Sequence, residues 1–143
     1  MHPARFALAA AVVSVIIGAD QLTKMAASRF LPAASHHSAA VRMEVVRNTR
    51  AGIAMFTVST PVQVLIGALA GVSGSVLVLF ADTLSTLSSV GLAVAIGAAA
   101  SNFGDIIVRG HILDFVSIRQ WPTFNLADVA LCAGLLTTAI GLL

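Results

Sequence analysis

The sequence is poor in charge: only 10% of its residues are Asp, Glu, Lys or Arg, and six of its 143 residues are acidic. An ordinary soluble domain carries about 25% charged residues, so a typical soluble globular domain is excluded. Hydrophobic residues make up 58% of the chain, and the mean hydropathy is +0.98. These values predict a single integral membrane domain over residues 1–143.

Cysteine is almost absent, since Cys132 is the only one in the sequence. The chain therefore cannot form an internal disulfide or bind a metal through paired cysteines. It also lacks an HExxH metal motif, a glycine-rich phosphate loop and a G-x-S-x-G nucleophile elbow. A net charge of +2 with scattered positive residues argues against a nucleic-acid partner. We expect no metal, no cofactor and no nucleic acid.

Four apolar segments are predicted to cross the membrane. They cover about residues 6–19 with an extension to 25, 62–80, 87–103 and 126–143. Each approaches the roughly 20 residues that a helix needs to span a bilayer, and Pro61 suits the first turn of the second. A polar stretch follows the first segment where a small-residue cleavage site would be expected, so we interpret this segment as a retained helix.

The connection between the first two spans, about residues 25–60, is long enough to hold structure of its own. Residues 41–45 alternate apolar and polar side chains, which is the period of a half-buried strand. A turn-like stretch at 48–52 and a second extended run at 53–58 follow. The sequence thus predicts an all-α membrane protein with four transmembrane helices and a small β hairpin or sheet in the first extramembrane loop.

With four spans, the first and third connections lie on the same side of the membrane. These connections and the adjoining helix ends carry most of the polar residues: Asp20, Lys24, Asn48, Arg50, Asn102, Asp105, Asp114 and Asp128. The Lys and Arg residues also fall on this side, apart from Arg5, and the positive-inside rule would therefore place it in the cytoplasm. These positive residues sit in a folded loop and beside carboxylates, so the charge count leaves the orientation open.

Three of the six acidic residues lie between positions 101 and 130, and a charge at the centre of a membrane helix costs roughly 2.5–3.5 kcal/mol. Asp114 is flanked by apolar residues, which give a lone carboxylate no partner. Asp128 stands three residues after Asn125, the spacing of an N-cap box. If the two aspartates approach closely they share one proton, so one can activate water while the other donates to a peptide carbonyl. This is the chemistry of an aspartyl protease.

Several of these residues also have a purely structural interpretation. Asp128 would act in the N-cap box of the last helix and meet its dipole favourably. Asp105 would pair with Arg109 four residues later, and Asp20 with Lys24 at the same spacing. Both interpretations stay open at the level of sequence.

The chain resembles the lipoprotein signal peptidases (signal peptidase II) over nearly its whole length. The run N-F-G-D-I-I-V-R-G-H-I-L-D-F and the later F-N-L-A-D are similar to the family pattern N-x-x-D-R-x-x-x-G-x-V-x-D-F and F-N-x-A-D. The element D-Q-L-T-K after the first span, and a V-R-N element that leads to a Gly-Ile-Ala stretch, are similar as well.

The resemblance implies an activity and a role for each matching residue. Asp114 and Asp128 match the two catalytic aspartates of the family. Supporting and substrate-binding positions match Asp20, Lys24, Asn48 or Arg50, Asn102, Asp105 and Asn125. The implied reaction is cleavage of diacylglyceryl-modified prolipoproteins just before the lipid-bearing cysteine, with these precursors and membrane lipids as partners. A monomer in the bacterial cytoplasmic (inner) membrane is expected, with both termini cytoplasmic and the site facing the outer side.

The chain departs from the family pattern at three places. Ser101 replaces the glycine before the motif asparagine. Ile106 replaces the arginine after the first motif aspartate, a charge that Arg109 could supply one turn later. In the first loop, N-T-R-A-G-I-A-M-F is shifted relative to N-x-G-A-A-F, so either Asn48 or Arg50 takes the place of the family asparagine.

Two other functions compete with this interpretation. A Ser/Lys protease would use Lys24 with a hydroxyl such as Ser28, although nearby Asp20 opposes the neutral amine that this chemistry needs. A non-catalytic relative, or a small proton-coupled membrane transporter, would use buried carboxylates to carry protons. The departures at Ile106 and around Arg50 motivate this second alternative, but no helix combines a mid-span carboxylate with the Gly/Pro break that transporters favour.

Overall fold

The computed structural model describes residues 3–33, 40–49, 71, 74, 83–119 and 121–143. Along these residues the elements are helix α1 (Pro3–Phe30), strand β1 (Val41–Asn48), helix α2 (Thr86–Arg109), strand β2 (Ile112–Ile118) and helix α3 (Leu126–Ile140). Of the described helices, α1 and α2 are long and apolar enough to cross a membrane, and α3 is a shorter apolar helix. The predicted second span lies outside the described residues apart from Gly71 and Gly74, so the count of four stays a prediction.

Helix α1 extends beyond the predicted end at residues 19–25. Pro3 suits its first turn because the fixed φ and missing N–H cost nothing there, and 28 residues at 1.5 Å per residue reach about 42 Å. The helix continues past residue 19 because the polar side chains of Asp20 and Lys24 have buried partners. Asp20, Lys24 and Ala27 are the buried residues of the helix.

Helix α2 has a clear signal at each end. The Ser85 side chain accepts a hydrogen bond from the Ser88 N–H and so caps the start. At the other end Gly110 has φ 73°, a left-handed conformation that glycine adopts without a Cβ clash. The helix therefore runs to Arg109, six residues beyond the predicted end at 103, and includes Asp105.

Small residues let the helices approach closely, as their abundance in the sequence indicates. A Cβ added at Gly134 of α3 would lie 2.6 Å from the Gly91 carbonyl oxygen of α2. A Cβ at Gly97 of α2 would lie 3.0 Å from the Val13 carbonyl oxygen of α1. Larger side chains at these positions would push the helix backbones apart.

Hydrogen bonds also fix which helix ends lie together. Arg5 Nη1 in α1 donates to the Leu84 carbonyl oxygen just before α2, at 3.2 Å. Ser85 Oγ donates to the Gly141 carbonyl oxygen just after α3, at 2.8 Å. The start of α1, the start of α2 and the end of α3 thus meet at one end, and their opposite ends meet at the other, where the polar residues of the sequence gather.

The predicted small sheet is confirmed, but among the described residues the partner of β1 comes from a different connection. Strand β1 pairs antiparallel with β2, which comes from the connection after α2, with Val46 opposite Asp114 and Asn48 opposite Ile112. The second predicted extended run, at 53–58, lies outside the described residues. Strand β2 carries no alternating pattern that would predict it, because its side chains are buried on both faces of the sheet. The sheet joins two connections and so brings Asp114 to the polar end of the helices.

Candidate active site

The polar side chains at this end of the helices form a cluster, called the polar cluster below. Asn125 stands at its centre because it contacts both Asp114 and Asp128. Its side chain accepts from the Asp128 N–H at 3.0 Å, and its own N–H donates to Asp128 Oδ2 at 3.0 Å. This is a capping box at the start of α3, so the predicted N-cap is confirmed. Because Asn125 Oδ1 faces a donor, Nδ2 points the other way and donates to Asp114 Oδ1 at 2.8 Å. The cap and the pairing of the two aspartates are therefore one arrangement.

Asp114 lies on β2 and is 2% exposed. Its second oxygen, Oδ2, accepts from Asn48 Nδ2 at 3.0 Å. Burial raises the pKa of Asp114 to about 6, since water is excluded from the charged form, and the nearby charge of Asp128 adds to this effect. The hydrogen bonds from Asn48 and Asn125 favour the carboxylate and oppose the rise. Asp114 thus gains and loses a proton close to neutral pH.

Asn102 of α2 connects Asp128 to the only buried lysine of the chain. Its Oδ1 accepts from Lys24 Nζ at 2.7 Å and from Asn125 Nδ2 at 3.0 Å. An ammonium group only donates, so this contact fixes the orientation of the Asn102 amide. Its Nδ2 therefore faces Asp128 and donates to Oδ1 at 2.9 Å. Both oxygens of Asp128 accept from donors whose orientation is set by other groups.

Lys24 is completely buried and has a full set of acceptors. Its Nζ lies 2.6 Å from Asp20 Oδ2 and 2.7 Å from Asp105 Oδ2, in addition to the Asn102 oxygen. Three acceptors match the three N–H bonds of an ammonium group. The predicted ion pair between Asp20 and Lys24 is confirmed, and Lys24 also ties α1 to α2.

Asp20 connects α1 to the start of α3 through its other oxygen. Oδ1 accepts from the Ala127 N–H at 2.9 Å, one of the backbone groups that a helix start leaves unpaired. Oδ2 also accepts from Ser101 Oγ at 2.6 Å. The hydroxyl at position 101, where the family pattern has glycine, is therefore used inside the cluster. Its position beside Asn102 in the motif was the only sequence signal.

Asp105 closes the cluster on the side of Arg109. The predicted pair between Asp105 Oδ1 and Arg109 Nη1 is confirmed. Gln21 Nε2 also donates to Asp105 Oδ1 at 3.0 Å and to Ser101 Oγ at 2.9 Å. Gln21 was missed because nothing in the sequence set it apart from its neighbours in the D-Q-L-T-K element. It follows Asp20 and shares the helix face that meets α2.

Hydrogen bonds and ion pairs thus join eight of the nine residues that the sequence singled out: Asp20, Lys24, Asn48, Asn102, Asp105, Asn125, Asp114 and Asp128. Arg50 lies outside the described residues. Every buried side-chain polar atom in the described part of the chain has a hydrogen-bond partner. Within that part, no group of three or more His, Cys, Asp or Glu side chains could hold a metal ion.

The arrangement can hold a neutral and an ionised carboxyl group next to each other. Lys24 and Arg109 balance Asp20 and Asp105, which leaves Asp114 and Asp128 as the unbalanced pair. Repulsion between two carboxylates in a poorly hydrated site is relieved when they share one proton. Such a pair can act as an acid and a base at the same time.

Comparison with known proteins gives a consistent family. Residues 12–143 match the family model described as signal peptidase (SPase) II. A lipoprotein signal peptidase of Mycobacterium leprae is 32% identical over 143 residues, which cover 94% of this chain and 70% of that protein. The corresponding protein of Mycobacterium avium is 31% identical over 141 residues, which cover 92% of this chain and 76% of the M. avium protein.

The fold is also similar to a solved bacterial membrane enzyme. The two structures superpose with a TM-score of 0.80 over 95% of this chain and 87% of the other, at 19% sequence identity. The family model and the mycobacterial relatives cover the whole polar cluster described above. The chain therefore belongs to the signal peptidase II family, a family of bacterial membrane proteases that remove signal peptides from prolipoproteins.

Proposed function

We propose that this chain is an aspartyl endopeptidase of the bacterial inner membrane. Its substrates are diacylglyceryl-modified prolipoproteins, which it cleaves just before the lipidated cysteine. The observation that carries the proposal is the contact of Asn125 with both aspartates: one residue binds Asp114 through its side chain and Asp128 through its backbone. A pair of this kind, with Asp114 buried and Asp128 partly buried, has the two protonation states that peptide hydrolysis without a metal requires.

In the proposed reaction Asp128 is the base and Asp114 carries the shared proton. The start of α3 favours a negative charge at Asp128 through the helix dipole and the Asn125 N–H. Asp114 lies on β2 rather than at a helix start, and burial raises its pKa to about 6, which suits it to carry the shared proton. The pair titrates jointly, so these assignments describe the state that starts the reaction.

The chemical step balances without any cofactor. Asp128 takes a proton from water, and the water oxygen bonds to the scissile carbonyl carbon while Asp114 gives its proton to the carbonyl oxygen. Asp128 then passes its proton to the amide nitrogen, the C–N bond breaks, and Asp114 regains a proton from the geminal hydroxyl. Asn48, Asn102 and Asn125 hold the carboxyl groups in place through these changes.

The Ser/Lys alternative has little support from the contacts of its two residues. Lys24 Nζ is fully buried and contacts Asp20, Asp105 and Asn102, and no hydrogen bond in the described part of the chain joins it to the Ser28 hydroxyl. Ser28 is exposed, and its hydroxyl donates to the Met25 carbonyl oxygen at 2.8 Å.

The proposal is tested with purified protein and a diacylglyceryl-modified precursor, followed by mass spectrometry of the new N-terminus. Asp114→Asn and Asp128→Asn should each lower kcat by roughly 10²–10⁴-fold, the usual contribution of general acid–base catalysis. Ser14→Ala is a matched control, because Ser14 is exposed and its hydroxyl bonds only to the Ala10 carbonyl of its own helix. Near-normal cleavage by either Asn variant would remove the mechanism.

The transporter alternative predicts a different result in the same preparation. Proteoliposomes that contain the wild-type protein should cleave the precursor without net proton movement across the bilayer. Proton flux without cleavage would instead support a proton-coupled transporter.

A further inference from the structure

Glu44 is a buried acidic residue that the proposed reaction does not use. It lies on β1 and is 6% exposed. A buried carboxylate is costly unless it is hydrogen-bonded. Oε1 of Glu44 accepts from Arg42 Nε at 3.2 Å and from Ser117 Oγ at 3.2 Å. Its burial therefore depends on contacts within and across the sheet.

These contacts continue as a chain of hydrogen bonds to the segment before α3. Ser117 Oγ also lies 2.8 Å from Thr123 Oγ1. A hydroxyl has one proton to donate, and that of Ser117 goes to Glu44, so Thr123 must donate to Ser117. Side chains of β1, β2 and the following segment are thus joined in one direction, ending on the carboxylate.

The Thr123 end of this series of hydrogen bonds lies next to Asn125, the residue that contacts both aspartates. Phe124 pairs with Val116 of β2 through two backbone hydrogen bonds, both 2.9 Å, and Asn125 follows directly. Thr123 and Phe124 therefore fix the distance at which Asn125 lies from Asp114.

The Glu44 end lies at an irregularity in the sheet. The pairing is Met43 with Val116 and then Val46 with Asp114, so that Glu44 and Val45 both stand opposite one residue of β2. This is a β-bulge. The extra residue is also used: the Val45 N–H donates to the Pro32 carbonyl oxygen at 2.9 Å, which ties β1 to the chain after α1.

The bulge decides which way Asn48 faces. Ser117 and Asp114 are three residues apart on β2 and so lie on opposite faces of the sheet. Glu44 contacts Ser117, whereas Asn48 contacts Asp114. Residues 44 and 48 are four apart and would share a face in a regular strand. The alternation of side chains between the two faces must therefore shift by one residue along β1 between them. The bulge supplies that change.

We propose that Glu44 is a positioning residue for this site: by binding Ser117 at the bulge it holds Asn48 and, through Thr123, Asn125 against Asp114. The expected effect of Glu44 on turnover rests on the proposed function. Its expected effect on the protonation of Asp114 is independent of that function, because the protonation can be measured without substrate. The competing interpretation is that Glu44 only stabilises the sheet.

Glu44→Leu removes the acceptor, and Glu44→Gln keeps an oxygen for Ser117 at nearly the same volume. Glu44→Leu should lower kcat roughly tenfold, the factor that corresponds to one lost hydrogen bond, and Glu44→Gln should restore most of it. Ser117→Ala breaks the same series of hydrogen bonds with a smaller change in side-chain volume. It replaces Glu44→Leu if that variant does not fold.

The readout independent of substrate is the infrared titration of the Asp114 carboxyl group, identified by its loss in Asp114→Asn. The groups that act on Asp114 are Asn48 from β1, Asn125 before α3, Asp128 from α3 and Lys24 from α1. Losing the Asn48 bond removes a donor that favours the charged form, so Glu44→Leu or Ser117→Ala should move the midpoint to higher pH. In an Asn48→Ala background the remaining effect of either variant should be smaller, because Asn48 is one of the two residues that Glu44 holds.

The possible outcomes separate the two proposals. An unchanged midpoint and unchanged kcat in a variant with lower thermal stability would show a purely structural Glu44 and overturn the inference. An effect as large in the Asn48→Ala background as in the wild type would overturn it too. Absence of cleavage by the wild type would overturn the proposed function, while a shifted midpoint would still support the positioning role.

Discussion

Lys24 shows how one residue can hold a membrane site together. Its ammonium group is buried among Asp20, Asp105 and the oxygen of Asn102, which belong to α1 and α2. An ion in such a place is tolerated only because each of its donors has an acceptor. The same contacts would leave two carboxylates buried without compensation if the lysine were removed.

Replacing Lys24 with Met should therefore be strongly destabilising. Breaking a buried ion pair from one side costs about 3–5 kcal/mol, and thermal unfolding in detergent would measure the loss. Arg29→Met is the matched control, because Arg29 is an exposed cation near the end of the same helix, where such a change usually costs less than about 1 kcal/mol. Equal losses in the two variants would contradict the role given to Lys24.

Asp114 should make the stability of the fold depend on pH. In the folded protein Asp114 keeps its proton up to about pH 6, whereas an aspartate in the unfolded chain loses its proton near pH 3.8. Between these values the folded state binds more protons, so stability falls as pH rises, and the two pKa values correspond to roughly 3 kcal/mol. Thermal unfolding from pH 4 to 7 should therefore show Asp114→Asn gaining on the wild type as pH increases. A difference that is constant with pH would contradict the buried, proton-binding carboxyl group.

Among the elements, α2 and α3 depend on glycine for their contact. The backbones approach so closely that a Cβ at Gly134 would lie 2.6 Å from the Gly91 oxygen and 2.7 Å from the Ala95 nitrogen. Backbone atoms cannot move aside as a flexible side chain can. The start of α3, which carries Asp128, is positioned by this packing as well as by its cap.

Substituting alanine at two glycines should have opposite effects. Gly134→Ala should destabilise the protein by about 1–3 kcal/mol, the usual cost of overpacking a tight contact. Gly104 lies inside α2, and no atom of the described residues comes within 4 Å of an added Cβ, so Gly104→Ala should gain up to about 1 kcal/mol from helix propensity. Melting temperatures of the two variants in the same detergent check this. A loss in both would mean that Gly104 is also packed.

At the scale of the whole molecule, the polar cluster lies at one end of the helices. Ser85, which caps the start of α2 and bonds to the end of α3, lies at the other. The 24 residues of α2 span about 36 Å, enough to cross a hydrocarbon core of roughly 30 Å. The orientation expected from the family resemblance would put the cluster on the outer side of the inner membrane and the start of α2 in the cytoplasm.

Cysteine labelling of intact cells tests this orientation. Trp121 follows β2 and is 75% exposed, and Thr86 is exposed at the first turn of α2. In a Cys132→Ser background, Trp121→Cys should react with a membrane-impermeant thiol reagent in spheroplasts. Thr86→Cys should react only after the cells are opened. The reverse pattern would place the site in the cytoplasm, as the charge count alone suggests.

Much of this site could be predicted because its chemistry depends on short spacings. The i,i+4 pairs of Asp20 with Lys24 and of Asp105 with Arg109 need only a helix, and the Asn125 cap needs only a helix start. The charge count leaves the orientation open because two of the positive residues, Lys24 and Arg109, bind carboxylates inside the cluster.

The sequence by itself determined a membrane domain and the carboxylates of the polar cluster, since composition and local spacing depend on no distant contact. Only the tertiary structure decided that β1 pairs with β2 and that a bulge turns Asn48 toward Asp114. It also decided that Ser101 and Gln21 join the cluster. These features depend on residues 64 to 84 positions apart, and pairing over such distances leaves no periodic signal in the chain.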